Sequence, residues 1–504
     1  MRRSRAVLAV LLCLAPAYAL ATETWMTVML DGRKVGKLKI DREATDKQVT
    51  TAQVLDFRLT RIKTPLALRT ELRSVESTHG QPLGFYAKSS MSSQENLVEG
   101  QVRDDGAFQV ANTVGGQSRV NLLIWPTGAA LVEGQRLNMV RMGFRPGTTY
   151  QTRNFDPVKQ QVATVDVLVV GDEVVDLPQS RETLHHIRQT LAGSNNTQFV
   201  DMWVNDQGDV RRGIAPLLGF RMEMAACDAA CANAPDQDVD LLRAAMVDAP
   251  RPMTPSLRAA PVRYMISIHG NHPSPFIETD EQHVHVMGDG LYQVDVGWAV
   301  PRSGEPGPTT DDTAPNPWVQ SESPEVIALA RRVVGDAPND LQRMRRLRSF
   351  LSDYINEKGL DVGYASALET IHSRKGDCTE HAVLLTALAR ALGIPARVVT
   401  GIVYVDRFGG ASRVFVPHAW TQAWLGNRWV SFDSAQRRFD ATHIALGTGS
   451  GDPWRFFQAM SVLGNIRIER ATAASSLMDM PAPSMSDSFV GGGGSGKGAA
   501  GGIE

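Results

Sequence analysis

The sequence predicts a chain of two unlike parts, an extended antiparallel β layer followed by a domain that mixes helices with a strand hairpin. Three observations predict it. Between Trp25 and Val210 short β-type runs are punctuated by turn signals, with little helical periodicity. Helical spacing begins only beyond Ser323-Pro324, an N-cap and first-turn proline pair. A late block, HAWTQAWLGNRWVSFD, then alternates in the manner of a strand around Gly426-Asn427, a two-residue hairpin turn.

The composition is globular: 504 residues, 43% hydrophobic, with 52 Lys+Arg against 54 Asp+Glu for a formal net charge of −2. That balance provides no electrostatic pull toward nucleic acid or an anionic membrane surface, so no nucleic-acid partner is expected. Four cysteines in so long a chain are too few for a disulfide framework, and each is read separately.

In order along the chain, residues 1–21 carry three arginines, an apolar run from Ala6 to Ala15, and small residues at Ala17, Ala19 and Ala21. This is the order of a secretory signal peptide, and the run is too short to span a bilayer. Cys13 sits inside the run after Leu12, not after a small residue at its end, which argues against lipid attachment; cleavage after Ala19 or Ala21 removes it. The mature protein is therefore expected to be exported, periplasmic or secreted, without an integral membrane span.

Residues 22–231 form the expected β-rich domain, with turns at Asp31-Gly32, His79-Gly80, Asp105-Gly106 and Asn205 to Gly208. Their spacing suggests a large antiparallel sheet or curled, barrel-like layer of about 200 residues. No catalytic motif falls within it, which leaves substrate recognition, partner binding or shielding as its open roles. Residues 232–261 read as a Pro-containing linker with a short helix around DLLRAAMV, and 262–322 as a β segment ending in a Pro-rich loop. Residues 323–470 make the domain that carries the chemistry, and the Gly/Ser-rich stretch 471–504 reads as a flexible tail.

The chemistry centres on GDCTEHAVLLTALARALGIP. Asp377 can cap a helix whose Glu380 reaches back; Leu384, Leu385, Leu388 and Leu392 supply its buried stripe, and Gly393 and Pro395 end it. Cys378 then lies in the first turn, where backbone N–H groups and the helix dipole favour a thiolate nucleophile. A base and its orienter are found in VFVPHAWTQAWLGNRWVSFDSA. A tight Gly426-Asn427 turn pairs Leu425 with Arg428 and Trp424 with Trp429, so Trp420 falls opposite Asp433 and His418 becomes its diagonal neighbour on the same face. His381 competes as a base from the Cys378 helix, but no acidic residue is placed to orient it, and a packing role is expected.

GDCTEHAVLLTALARALGIPARVVTG, followed by FVPHAW and WVSFDSA, resembles the core of the bacterial transglutaminase-like superfamily over Pro324 to Ser434. The resemblance implies an α+β, papain-like fold with the Cys-bearing helix packed on an antiparallel sheet, preceded here by the β-rich domain. By position it implies Cys378 as nucleophile, His418 as general base and acid, and Asp433 as the orienting carboxylate, acting through an acyl-thioester. Animal crosslinking members carry Gln before and Trp after the nucleophile, where this chain has Asp377 and Thr379. A peptidase or amidase is thus favoured over a crosslinker, with a peptide or protein amide substrate, cell-envelope components among the candidates.

Cys227 and Cys231, four apart in an exported chain, read best as a local disulfide, which leaves Cys378 as the odd thiol. His269, His272, His283 and His285 cluster without supporting carboxylate or thiol spacing, so no metal and no cofactor is expected. His185-His186, in a helix-like polar run, reads as a solvated position. The competing function is a non-catalytic binding or assembly module of the cell envelope that works through the β-rich domain, against which stands the retention of Cys378, His418 and Asp433 together.

Overall fold

The computed structural model describes residues 20–474, apart from 92–93, 193–196, 218–219, 270–273, 289, 298–304, 358, 360–363, 453–455 and 457–461. The expected leader with Cys13, and the Gly/Ser-rich segment from 475 onward, lie outside the described residues. The first half is a 15-stranded sheet in which β1 (Leu20–Leu30) and β15 (Phe220–Cys227) pair at the centre, with Trp25 opposite Cys227. From there the sheet meanders outward to its two edges, β8 (Gln117–Leu123) and β9 (Ala129–Ala130). The pairings are antiparallel except that of β9 with β10 (Thr149–Asp156). The two arms curl toward one another: Phe85 lies 5.4 Å from Phe155 of β10 by ring centroids, and Trp125 lies 4.5 Å from Phe155, so strands far apart in the sheet share one aromatic core.

The turn signals fall where the chain reverses. Asp31 and Gly32 take φ 46° and 79°, the left-handed pair of a tight hairpin. One helix-like reading is corrected. His185 and His186 lie in a strand, β12 (Arg181–Ala192), where His186 is buried between Glu173 and Asp201, at 2.8 Å from each, and stacks on Trp203. Cross-strand partners override the local helical propensity of that run.

Three one-turn helices, α2 (Ala229–Ala232), α3 (Leu241–Ala244) and α4 (Pro255–Arg258), lead out of the sheet, N-capped by Asp228, Asp240 and Thr254. Among the described residues, the second half holds two sheets and four helices longer than one turn. A four-stranded sheet runs β18 (Gln282–Gly288), β19 (Leu291–Val296), β17 (Val262–Ile268), β24 (Ile466–Ala473). A second sheet runs β16 (Val247–Asp248), β21 (Ala411–Leu425), β20 (Ala396–Phe408), β23 (Ile444–Gly449), with β22 (Arg428–Phe432) paired to β21. Against it pack α5 (Pro324–Val334), α6 (Asp340–Tyr354), α7 (Ala367–Ser373) and α8 (Cys378–Ala391).

One large core extends from Leu242 to Ala471, with two small clusters beside it around Trp420 and Val416. The segment 262–322 is thus not a unit apart from the helical region: β17 pairs with β24, and residues 471–473, read from the sequence as tail, complete that strand. The Pro-rich stretch is likewise packed, not a free linker. Pro306 accepts a hydrogen bond from Trp429 Nε1 at 3.1 Å, and Glu305 pairs with Arg397 and accepts from the Asp280 N–H at 2.6 Å. Its prolines exclude regular structure, and side chains on either side supply the anchoring.

Candidate active site

Helix α8 begins where its capping residues dictate. Asp377 Oδ1 accepts from Thr379 N–H at 2.9 Å, and the Glu380 carboxylate accepts from Asp377 N–H at 2.8 Å, closing a capping box. The other Glu380 oxygen accepts from Ala365 N–H at 2.9 Å, tying the approach to α7 onto the start of α8. From Thr379 to Arg390 every residue of the helix is buried, and Gly393 at φ 77° turns the chain into β20. Cys378 is thereby fixed in the first turn, partly buried, with its sulfur receiving the Ala419 backbone N–H of β21. Among the described residues it is the free cysteine, since Cys227 and Cys231 form a disulfide with Cα atoms 6.0 Å apart.

The β21–β22 hairpin turns through Gly426 and Asn427 at φ 57° and 69° and pairs Leu425 with Arg428 and Trp424 with Trp429. That register brings His418 Nε2 to 2.7 Å from Asp433 Oδ2, both side chains almost wholly buried. Asp433 Oδ1 accepts the Ala435 and Gln436 N–H groups at 2.7 and 2.9 Å, so the carboxylate cannot rotate away from the imidazole. The Trp420 ring lies nearly parallel to that of His418, 6.2 Å between centroids, and its Nε1–H donates to Ser431 Oγ at 3.1 Å. His381 faces elsewhere, with Nδ1 2.9 Å from Ser434 Oγ; it ties α8 to the chain just beyond Asp433.

A residue that sequence reasoning missed completes this cluster. His443, 2% exposed, places Nε2 2.9 Å from the same Asp433 Oδ2 that faces His418, while its Nδ1 lies 3.0 Å from the Asp440 carbonyl oxygen. It arrives by way of β23, which docks on β20 beside Gly401; a Cβ at Gly401 would stand 2.1 Å from the Ile444 carbonyl oxygen, so only glycine admits the strand. The available signal was the polar turn Asp440-Ala441-Thr442 ahead of a β-type run, which marks a strand start without saying which strand it joins.

The electrostatics depart from the expected acidified thiol. Burial pushes the Cys378 thiol well up, Asp377 adds to this, and Glu380 and Asp433 act in the same sense, against the lone pull of the Ala419 N–H. Burial, with the capping carboxylates at the same helix end acting in the same sense, opposes the helix dipole. Burial would also raise Asp433, but His418 and His443 hold it well below the usual carboxylate range. Burial would lower His443, yet Asp433 and Asp440 push it up to about 9.

His418, Asp433 and His443 are also the group, among the described residues, whose donor atoms all lie within 4.8 Å of one another. Both ring nitrogens that face Asp433 are at hydrogen-bond distance of its carboxylate, which accounts for the cluster as a buried network of one carboxylate and two imidazoles. Of the histidines singled out along the four-stranded sheet, His283 places Nδ1 3.2 Å from Glu278, and His272 falls outside the described residues.

Residues 327–434 match the model of the transglutaminase-like superfamily core. An uncharacterized Mycobacterium leprae protein, ML0607, is 30% identical over 99 residues, 19% of this chain and 35% of that relative. The chain thus spans about a third of the length of the curated relative it matches. Among solved structures, a candidate cysteine protease from Cytophaga hutchinsonii is similar over 43% of this chain and 83% of its own, at 20% identity and TM-score 0.29. The β-barrel-like DUF1849 domain protein from Brucella abortus is similar over 42% of this chain and 98% of its own, at 12% identity and TM-score 0.34. The segment that matches the transglutaminase-like superfamily core, residues 327–434, lies in an α+β chain behind a large antiparallel β-rich region.

Proposed function

We propose that the protein is an exported thiol hydrolase or acyltransferase that attacks a peptide or isopeptide amide through Cys378. The observation that carries this reading is the buried His418–Asp433 hydrogen bond of 2.7 Å, one residue from the backbone N–H that meets the Cys378 sulfur. In the first step the sulfur adds to the amide carbonyl while its proton passes to the His418 imidazole. The C–N bond then breaks, the amine leaves with that proton, and a thioester remains on Cys378. Water or an acceptor amine adds to the thioester with His418 again taking the proton, and sulfur leaves as thiol. The Cys378 N–H, at the positive end of α8, is the natural donor to the oxyanion. Because the surrounding carboxylates favour the neutral thiol, proton transfer accompanies attack rather than preceding it.

Export rests on the charged, apolar, small-residue leader and on the Cys227–Cys231 disulfide, which suits an oxidising compartment. Among the described residues no helix is long and apolar enough to cross a membrane. Asp377 and Thr379 beside the nucleophile favour water over a protein amine as the acceptor.

The test is the rate of Cys378 alkylation by iodoacetamide between pH 6 and 10, in the mature protein and in His418→Ala and Asp433→Asn, alongside acid-quench mass spectrometry with amide substrates. Labelling that slows when His418 is removed, with a trapped acyl-enzyme that hydroxylamine releases as the hydroxamate, supports the reading. Labelling indifferent to His418, or possible only after denaturation, overturns it in favour of an assembly module.

A further inference from the structure

The β-rich region reaches the start of α8 through one hairpin. Strands β3 (Gln48–Arg61) and β4 (Thr64–Ser77) pair along their whole length, Gln48 opposite Ser77 and Arg61 opposite Thr64. They are joined by a two-residue turn, Ile62-Lys63, at φ 48° and 66°. That turn type favours Asn-Gly, and a β-branched residue at positive φ is strained, so the surroundings must hold it there. They do: Ile62 packs against the core of the second half, and the tip of the β20–β21 hairpin makes room for it, since a Cβ on Gly409 would lie 2.4 Å from Ile62 Cδ1. Thr60 fixes the strand beneath, donating its N–H to Val239 O at 2.9 Å and its hydroxyl to Asp238 at 2.7 Å.

So anchored, the hairpin presents Arg61 to the capping residue of the nucleophile helix. Arg61 Nη1 lies 3.5 Å from Asp377 Oδ2, with both side chains mostly buried, while Asp377 Oδ1 is committed to the helix cap. A second hairpin, between β7 (Phe108–Val114) and β8, touches the neighbouring helix start: a Cβ on Gly115 would lie 2.9 Å from Ser366 Oγ and from Glu369 Cγ, the capping pair of α7. Two tips of the β-rich sheet therefore rest on the N-termini of α7 and α8.

We propose that Arg61 is a positioning residue of the active site, supplied by the β-rich region, whose guanidinium offsets the Asp377 charge and so keeps the adjacent Cys378 sulfur reactive. The inference rests on the thiol-enzyme reading above. The charged and titratable groups that act on the sulfur are Asp377 and Glu380 of its own helix end, Asp433 beyond β22, and the buried Tyr364 ahead of α7, while His418 stands next to Ala419 in β21 and pairs with Asp433. Three of these are carboxylates, and Arg61 is the cation placed against the one next in sequence to the nucleophile. The β-rich region is thus one component of the site, not a shield over it.

The sign of the effect makes the test specific. Removing Arg61 leaves Asp377 unopposed and disfavours the thiolate; removing the Asp377 charge favours it, and asparagine caps a helix as well as aspartate does. In the full chain, Arg61→Gln should slow iodoacetamide labelling of Cys378 at pH 8 by roughly three- to tenfold, moving the profile up by about half to one pH unit. Asp377→Asn should move it down, Arg61→Lys should restore most of the rate, and Arg61→Gln should add nothing in the Asp377→Asn background. A merely structural Arg61 would change the thermal midpoint but not the pH profile. If Arg61→Gln is folded and its profile overlays the wild type, or if it shifts as far without Asp377, the inference is overturned. If Arg61→Gln does not fold, Arg61→Lys and Asp377→Asn still decide by the direction of their shifts. Loss of the His418 dependence in the wild type would instead overturn the thiol-enzyme reading itself.

Discussion

The β-rich region and the transglutaminase-like region solve the problem of stability differently. In the first, most strands pair with their neighbours in sequence, and the interior is divided among separate clusters around Met26, Phe85 and Val167. In the second, one large core, flanked by two small clusters around Trp420 and Val416, is closed by partners far apart in the chain: β17 pairs with β24, and Trp429 N–H donates to Asp280 at 2.7 Å across the core. The functional consequence lies in what each interior tolerates. Residues placed by distant partners can be held to a fraction of an ångström, and only such an interior can bury a carboxylate between two imidazoles at a site of chemistry. The first region also buries charge, as where Glu76 accepts the Glu133 and Gly134 N–H groups at 2.7 and 2.8 Å, but there the charge caps α1 (Val132–Met142).

The largest effect that tests this contrast is expected at Asp433. Asp433→Ala removes the acceptor shared by His418 and His443, so amide turnover should fall by about three to four orders of magnitude. Stability should fall as well, by about 3–5 kcal/mol in urea unfolding, because two buried ring N–H groups lose their acceptor and His443 loses the carboxylate that holds its proton. Glu76→Gln in the β-rich region should cost about 1–2 kcal/mol and leave kcat/KM where it was. Equal effects of the two substitutions on turnover would erase the distinction between the regions.

His443 gives an intermediate effect with a pH signature. Its folded pKa, pushed up to about 9 from an ordinary 6.5, means that the folded state holds the proton more tightly than the unfolded chain. The stabilisation is then complete below about pH 6.5 and disappears as pH rises through about 9. His443→Gln should be less stable than wild type by about 2–3 kcal/mol at pH 6, and close to it at pH 9.5. Chemical unfolding at the two pH values checks this; a constant difference would show that packing against Phe439 and Trp420, not charge, is what His443 contributes.

The sequence disclosed what local chemistry determines. The Asp377–Glu380 capping box, the Gly426-Asn427 turn and the parity of His418 with Asp433 all depend on residues no more than fifteen positions apart, within one helix start or one hairpin. What it withheld depends on meeting at a distance. His443 reaches Asp433 only because β23 docks on β20, Arg61 reaches Asp377 only because a hairpin some 300 residues upstream in the chain rests on α8, and β24 joins β17 across the whole domain. His185-His186 misled because the polar run around them is compatible with a helix, and only Glu173, Asp201 and Trp203 on adjacent strands settle its form. The thiol departs from the local expectation for a related reason: the dipole of α8 is a local property, whereas burial by the assembled fold, with Asp377, Glu380 and Asp433 acting in the same sense, favours the neutral form.

The smallest expected effect comes from the Cys227–Cys231 disulfide, and it sets a lower bound on the contrast. The bridge closes a loop of a few residues between the end of β15 and α2, so its loss relieves little chain entropy in the unfolded state, about 2 kcal/mol at most. Asp228 still caps α2 through the Cys231 N–H at 2.8 Å when both cysteines become serine. Since β15 pairs with β1 at the centre of the sheet, any weakening should be felt first there, as faster amide exchange in Met26 to Leu30. The hairpin that carries Arg61 is held by Ile62, Thr60 and the second half itself. Cys227→Ser with Cys231→Ser should therefore lower the urea midpoint slightly and leave the Cys378 alkylation profile unchanged. A shifted profile would mean that strain in the centre of the sheet travels along β1, β2 (Arg33–Ala44) and β3 to the Arg61 tip, and that the β-rich region acts on the nucleophile as a body and not through one side chain.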